Sequence, residues 1–271
     1  MKKFSIVIPV RDSDRELLKK TLPSWIALES DDLILCIDFP PDSALIEVIW
    51  SINKGVKILP VTKNESYCFQ QAYIRRAGFK LAKYSAVLTG DADLVVYSSC
   101  LKAIELVGKD NVGLVSLSKL RNRRNFIGKL QTFTERLVRV GAKLLGHYVA
   151  GGAYFTGLYC IHKPFWLDSE EESSIKQLKH PYEASLSKTW GGYVGEDTHL
   201  RNCMIKKHKV LYLSEIGAED LRPGLEERKI IQYKIGMSFA RQRRKFTRVL
   251  LHVIIHIRPY VLIGYLCARL R

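Results

Sequence analysis

Ala86-Val87-Leu88-Thr89-Gly90-Asp91-Ala92-Asp93-Leu94-Val95-Val96 is the stretch on which the fold turns. A short apolar run of this kind reads as a buried strand, and it stops abruptly at two aspartates one residue apart. Leaving carboxylates unpaired in apolar surroundings costs several kcal/mol, so Asp91 and Asp93 need cations or water. In open α/β sheets ligands gather at the carboxyl ends of parallel strands, and there a divalent cation with a diphosphate would supply the compensation. An Asp-x-Asp that simply caps the next helix fits this stretch taken alone equally well, so the neighbours decide.

Upstream, the pattern is βαβ. Phe4–Val10 is a continuous apolar run with Pro9 near its end, which suits a central parallel strand stopping there. Turn residues Arg11 to Asp14 lead into Leu17, Leu18, Leu22 and Trp25 at helical spacing, with Pro23 expected to kink or end that helix. A second strand, 33–37, ends in Asp38; a helix over 44–52 and a strand over 56–61 follow. Over 67–83, Phe69, Tyr73, Ala77 and Leu81 recur every four residues and are expected to form the buried face, leaving Arg75, Arg76, Lys80 and Lys83 largely off it. Gly78 within this helix points to close packing against a neighbour.

Downstream, 112–117 reads as a strand, Lys119–Asn125 as a basic loop and 127–145 as an amphipathic helix. Gly151–Gly157 opens a strand ending near His162, and Glu170–Ser174 reads as a polar loop without chemistry. In Trp190-Gly-Gly-Tyr-Val-Gly-Glu196-Asp197-Thr-His-Leu200 the glycines precede a carboxylate pair that begins a helix, where dipole and free amides favour acids. Residues 210–213 close the pattern as a terminal strand, with His208 before it expected in solvent.

Six scattered cysteines without ligand spacing, and no leader-like N-terminus, suit a reduced, cytoplasmic protein. Charge is lopsided: residues 1–100 carry 13 Lys/Arg against 12 Asp/Glu, and the remainder 30 against 15. A pI near 9.6 invites nucleic acid or an anionic membrane as partner, but the chain has no nucleic-acid module. Residues 241–271 hold eight Lys/Arg and no acid, and His252, His256, Arg258 and Pro259 interrupt the apolar run. That pattern is too broken to span a bilayer and suits an interfacial helix beside a polybasic segment; packing on the body is the other reading. The chain accordingly divides into 1–118, 119–240 and a basic tail, 241–271.

In order and spacing, Phe4–Val10, Asp38, the Arg75-to-Gly78 helix, Leu88–Asp93 and Gly195-Glu196-Asp197 resemble the family-2 inverting glycosyltransferases over about residues 3–215. The resemblance implies a GT-A fold: an α/β domain with a mostly parallel central sheet flanked by helices. It implies that Pro9 and Arg11 edge a base pocket, that Asp38 binds the base, and that Arg75 helps hold the nucleotide. Asp91 would meet ribose or metal, Asp93 would ligate Mg²⁺ or Mn²⁺, and Asp197, helped by Glu196, would be the general base. The donor would be a nucleotide sugar, most simply a UDP-sugar. A saccharide or lipid-linked saccharide would accept it at the inner membrane face, within surface-polysaccharide synthesis.

Two positions depart from the family pattern. Leu94 stands where many relatives carry a third acid, and Ser214–Asp220 has no histidine for the metal, leaving Glu219 or Asp220 as substitutes. A sugar nucleotidyltransferase would share the acid logic, but Arg11–Asp14 lacks the glycines of its phosphate loop. A non-catalytic basic binding protein would leave both acidic pairs without a purpose.

Overall fold

The computed structural model describes residues 2–67, 70–121, 157–171, 196–221 and 259–270, with isolated positions elsewhere after residue 171. The expected helix over 127–145, the glycines of 151–156 and 190–195, and the 248/252/256 stripe of the tail lie outside the described residues. The chain forms two compact units: the first takes in 1–120, 154–178 and 194–221, the second 121–153, 179–193 and 222–271.

In the first unit β1 (Ser5–Val10), β2 (Asp32–Asp38), β3 (Lys57–Val61) and β4 (Ala86–Thr89) run parallel in the order β3-β2-β1-β4. Every residue of β1 and β4 is buried, as central strands covered on both faces must be. Between them run α1 (Arg15–Ile26), α2 (Ser43–Ile52) and α3 (Gln70–Leu81). Asp42 caps α2, its carboxylate accepting from the Ala44 amide at 3.0 Å. Pro23 does not end α1, which continues to Ile26.

The sheet continues β7-β6-β8-β5, formed by β5 (Leu94–Val96), β6 (Val112–Arg121), β7 (Tyr159–His162) and β8 (Lys209–Asp220). β7 is antiparallel to both β4 and β6, and β5 to β8, so the sheet is mixed beyond β4. The chain passes from β4 in the middle to β5 at the far edge through Gly90–Asp93 alone. β6 and β8 are longer than their apolar cores predict. β6 takes up Lys119–Arg121, which the sequence reading places in a loop. β8 takes up 214–220, because those residues pair with β5: Leu94 faces Asp220 and Val96 faces Ala218. The remaining helices are α4 (Cys100–Leu106), α5 (Lys163–Ser169) and α6 (Glu196–Met204).

The buried face of α3 differs from the expected one. Ala72, Arg75, Arg76 and Phe79 are buried, while Leu81 is 53% exposed. The true stripe is about 100° around the helix from the predicted one, a single residue's rotation. Gly78 fixes that rotation: a Cβ there would meet Val7 Cγ1 at 2.4 Å and Cys36 Sγ at 2.5 Å, so only glycine lets α3 lie this close to β1 and β2. Cys36, Cys100 and Cys160 are buried free thiols.

In the second unit, α7 (Pro259–Leu270) starts with proline at its first position, where no amide is needed. Val261 and Tyr265 pack with Ala240 and Val249. Ile263, Leu266 and Leu270 are exposed.

Candidate active site

Parallel strands bring their carboxyl ends to one edge, so Arg11, Asp38 and Asp91 leave β1, β2 and β4 on the same side. Pro9 is buried in β1 opposite Cys36. Asp38 has a buried Oδ1 without a hydrogen-bond partner among the described residues. Arg11 is exposed; its Nη2 donates to Gln71 Oε1 at 3.1 Å, and Gln71 Nε2 donates to Asp91 Oδ1 at 3.3 Å. Arg75 is 1% exposed, and its Nη2 donates to the same Asp91 Oδ1 at 2.6 Å. The Tyr159 ring lies under its guanidinium at 5.8 Å.

The second acidic pair comes to the same place. Glu196 Oε1 lies 3.2 Å from Arg75 Nη2, and Glu196 Oε2 accepts from Arg76 Nη1 at 2.8 Å. Asp197 is half-buried at the start of α6. A Cβ built on Gly157 would lie 3.2 Å from Asp91 Oδ2 and 3.5 Å from Asp197 Oδ2, so the two carboxylates face one small space. Gly157 has φ +70°, a conformation that favours glycine, and the missing side chain keeps that space open. Burial, then the charge of Glu196, pushes the Asp197 carboxyl up to about 7 against the opposing pull of Arg75. Its Oδ1 is buried with no hydrogen-bond donor among the described residues. A carboxylate titrating near neutrality, with an acceptor atom left over, has what a general base needs.

Asp93 is buried, and its carbonyl accepts from the Leu221 amide at 2.9 Å. This places Asp93 beside the end of β8, where Asp220 Oδ2 meets Lys119 Nζ at 3.1 Å. Burial would lower the Lys119 ammonium, but Asp220, Asp91 and Asp93 outweigh it and hold the group above its ordinary range. Among the described residues, no three His, Cys, Asp or Glu side chains converge as a protein-made metal cage. A hard cation that enters with a diphosphate needs only one or two carboxylates, its other ligands being phosphate oxygens and water. Asp93, a buried carboxylate beside Asp220 at this edge, is a donor of the type that use needs.

Several members of this site are missing from the sequence reading. Arg76 is 2% exposed and binds Glu170 twice, through Nε at 3.1 Å and Nη2 at 2.8 Å. Glu170 also accepts from Trp166 Nε1 at 2.6 Å, so the stretch read as a polar loop without chemistry holds a buried carboxylate. Gln71 and Lys119 are the other two. No local signal marks Glu170, because its partner lies 94 residues away. Arg75-Arg76 beside Gly78 was such a signal, since two arginines at the most closely packed point of α3 must meet buried acids. His208 is also not in solvent: its ring stacks on Phe165 at 4.1 Å, and its Nδ1 lies 2.7 Å from Asn111 Oδ1.

No family model matches the chain, and no curated protein matches it. Solved structures do. A mannosyltransferase of Pyrobaculum calidifontis, in complex with GDP-Man and Mn²⁺, is 13% identical with a TM-score of 0.59, over 98% of this chain and 73% of that one. Residues 1–349 of S. aureus TarS are 16% identical with a TM-score of 0.53, over 88% of this chain. The same TarS piece in complex with UDP-GlcNAc is 12% identical with a TM-score of 0.50. The chain spans 65% of the TarS piece. Likeness at these identities is likeness of fold, and the fold is GT-A-type, as the resemblance of the sequence implies.

Proposed function

We propose that this chain is an inverting glycosyltransferase that moves a sugar from a nucleotide-sugar donor to a hydroxyl of a saccharide acceptor. The observation that carries the reading is the convergence of Asp91 and Asp197, from opposite ends of the first unit, on the space at Gly157. The nucleotide enters along the carboxyl edge of β1, β2 and β4. Pro9 and Arg11 border the base, and the spare acceptor of Asp38 receives a base N–H. Arg75 holds Asp91 in place for the ribose, and Arg75 and Lys119, both facing Asp91, offer positive charge to the diphosphate.

Asp197 accepts the proton of the acceptor hydroxyl as that oxygen bonds to the anomeric carbon. The bond from that carbon to the diphosphate oxygen breaks in the same displacement, and the nucleoside diphosphate departs with the electron pair. One displacement inverts the anomeric configuration. Glu196, gripped by both arginines, keeps negative charge beside Asp197 and so keeps it basic. A divalent cation, Mg²⁺ or Mn²⁺, held by Asp93 and the diphosphate, would offset charge on the leaving oxygen.

The acceptor is lipid-linked in this reading, and the enzyme works at the anionic inner face of the cell membrane in surface-polysaccharide synthesis. The basic tail and the exposed Ile263, Leu266 and Leu270 of α7 support it. Among the described residues no helix is long and apolar enough to cross a membrane.

The test is a panel of UDP-, GDP- and dTDP-sugars with Mn²⁺. One nucleotide class should raise the melting temperature and be hydrolysed or transferred to a saccharide acceptor. A flat response to all three overturns the reading.

A further inference from the structure

Among the described residues, the buried charges around Asp197 are paired through two guanidiniums. Arg75 is matched by Asp91 at 2.6 Å, and Arg76 by the doubly bonded Glu170 at 2.8 and 3.1 Å. Glu196 bridges the two guanidiniums, at 3.2 Å from one and 2.8 Å from the other. Two guanidiniums therefore hold three carboxylates before Asp197 is counted, and Asp91 is also shared with Lys119. Burial and the neighbouring charge of Glu196 make ionising Asp197 costly, and the two guanidiniums oppose them. Glu170 draws on Arg76 and not on Arg75, so without it more of the Arg76 charge is left to act on Glu196 and Asp197.

We propose that Glu170 is a positioning residue for the candidate base: by holding Arg76 it sets how much positive charge reaches Asp197, and it fixes the face of Arg76 that grips Glu196. This rests on the reading of Asp197 as the base. Glu170 does not touch the space at Gly157; it acts through Arg76. Its own setting is rigid. Trp166 Nε1 donates to Glu170 Oε2 at 2.6 Å, and His199 Nε2 lies 3.7 Å from Oε1. Among the described residues, the groups that face Asp197 are Glu196 from its own helix, Arg75 and Arg76 from α3, Asp91 from the turn after β4, and Tyr159 from β7. Those that face Glu170 are Arg76, Trp166, His199 and Cys203. Burial pushes Glu170 up, but the Arg76 guanidinium more than offsets this, so the carboxylate stays charged.

The test reads opposite signs. In Glu170→Gln, Arg76 loses its dedicated counter-charge, and the acid limb of the rate profile moves down by about one pH unit. In Arg76→Met a positive charge leaves, and the limb moves up. Joining Arg76→Met to Glu170→Met removes one charge of each sign, and the limb returns near its original place. Trp166→Phe takes a hydrogen bond from Glu170 without changing charge and leaves the limb where it was. Titration of the Asp197 carboxyl by ¹³C NMR in the free protein, assigned by its loss in Asp197→Asn, should move in step. That second readout separates the two claims: if Asp197 titrates as described in a protein that transfers no sugar, the glycosyltransferase reading fails and the electrostatic one stands. If one variant does not fold, the direction of the other decides. Limbs and titrations unmoved in the folded variants, with only the melting temperature lowered, overturn the proposal.

Discussion

Two acidic corners of the first unit make opposite use of the same chemistry. At the Asp93–Asp220 corner, among the described residues, the Lys119 ammonium faces Asp220, Asp91 and Asp93, acids of the type that bind a hard cation. At the Glu170–Glu196 corner every carboxylate but Asp197 is tied to a buried guanidinium at 2.6 to 3.2 Å. In the proposed function the first corner changes its charge when a ligand arrives. The second is largely buried, its other carboxylates paired with guanidiniums, and Asp197 is the acid in it whose carboxyl is raised toward neutrality. Asp91 belongs to both, since it faces Lys119 and accepts from Arg75.

Substitutions should separate the corners. Asp197→Asn is expected to cost about a thousandfold in turnover while nucleotide affinity is kept; equal loss of binding, measured by calorimetry, would merge the two corners into one. Asp93→Ala, or chelation of divalent cations, is expected to weaken nucleotide binding about tenfold to a hundredfold, with the acid limb unmoved. Breaking the second corner with Glu170→Ala leaves a buried guanidinium short of a partner and should lower stability by about 3–5 kcal/mol in urea denaturation. The loss for Lys119→Met is smaller, about tenfold in nucleotide affinity, with a lesser drop in stability than Glu170→Ala, because the Lys119–Asp220 pair keeps more solvent than Arg76–Glu170. Smallest in its effect on catalysis is removal of the tail. A 1–240 chain should turn over soluble acceptors normally but lose flotation with anionic liposomes, and equal recovery of both chains in the soluble fraction would refute the membrane proposal.

The two corners also differ in how plainly the sequence shows them. Strands β1, β2 and β4 are legible because each is a short apolar run closed by a polar tip, a purely local pattern. Asp91, Asp93, Glu196 and Asp197 stand out for the same reason. The partners do not. Arg76 looks like a surface residue of an amphipathic helix until Glu170 is folded against it, and Glu170 looks like part of a polar loop until Trp166 and Arg76 meet it. Hydrophobic periodicity assigns charged residues to the exposed face, and it fails where distant charges cancel. Gly78 was the local clue to the rotation of α3, since glycine in a helix marks contact with a neighbour and not with water. The reach of β8 to Asp220 was hidden for a related reason: its last residues are held by pairing with β5 and not by their own apolar character.

The ionisation of Asp197 gives the account a pH dependence of known sign. With its carboxyl raised to about 7, the base is protonated below that pH, and the rate should fall tenfold per unit as pH drops and level off above it. Retention of full rate at pH 5 would show that the proton goes elsewhere.

The most direct test of a single displacement primed by Asp197 is the anomeric configuration of the first product, read by ¹H NMR before it equilibrates. A donor linked α to its diphosphate should yield a β-glycoside. An α-glycoside would require two displacements or a different geometry, and would contradict the account.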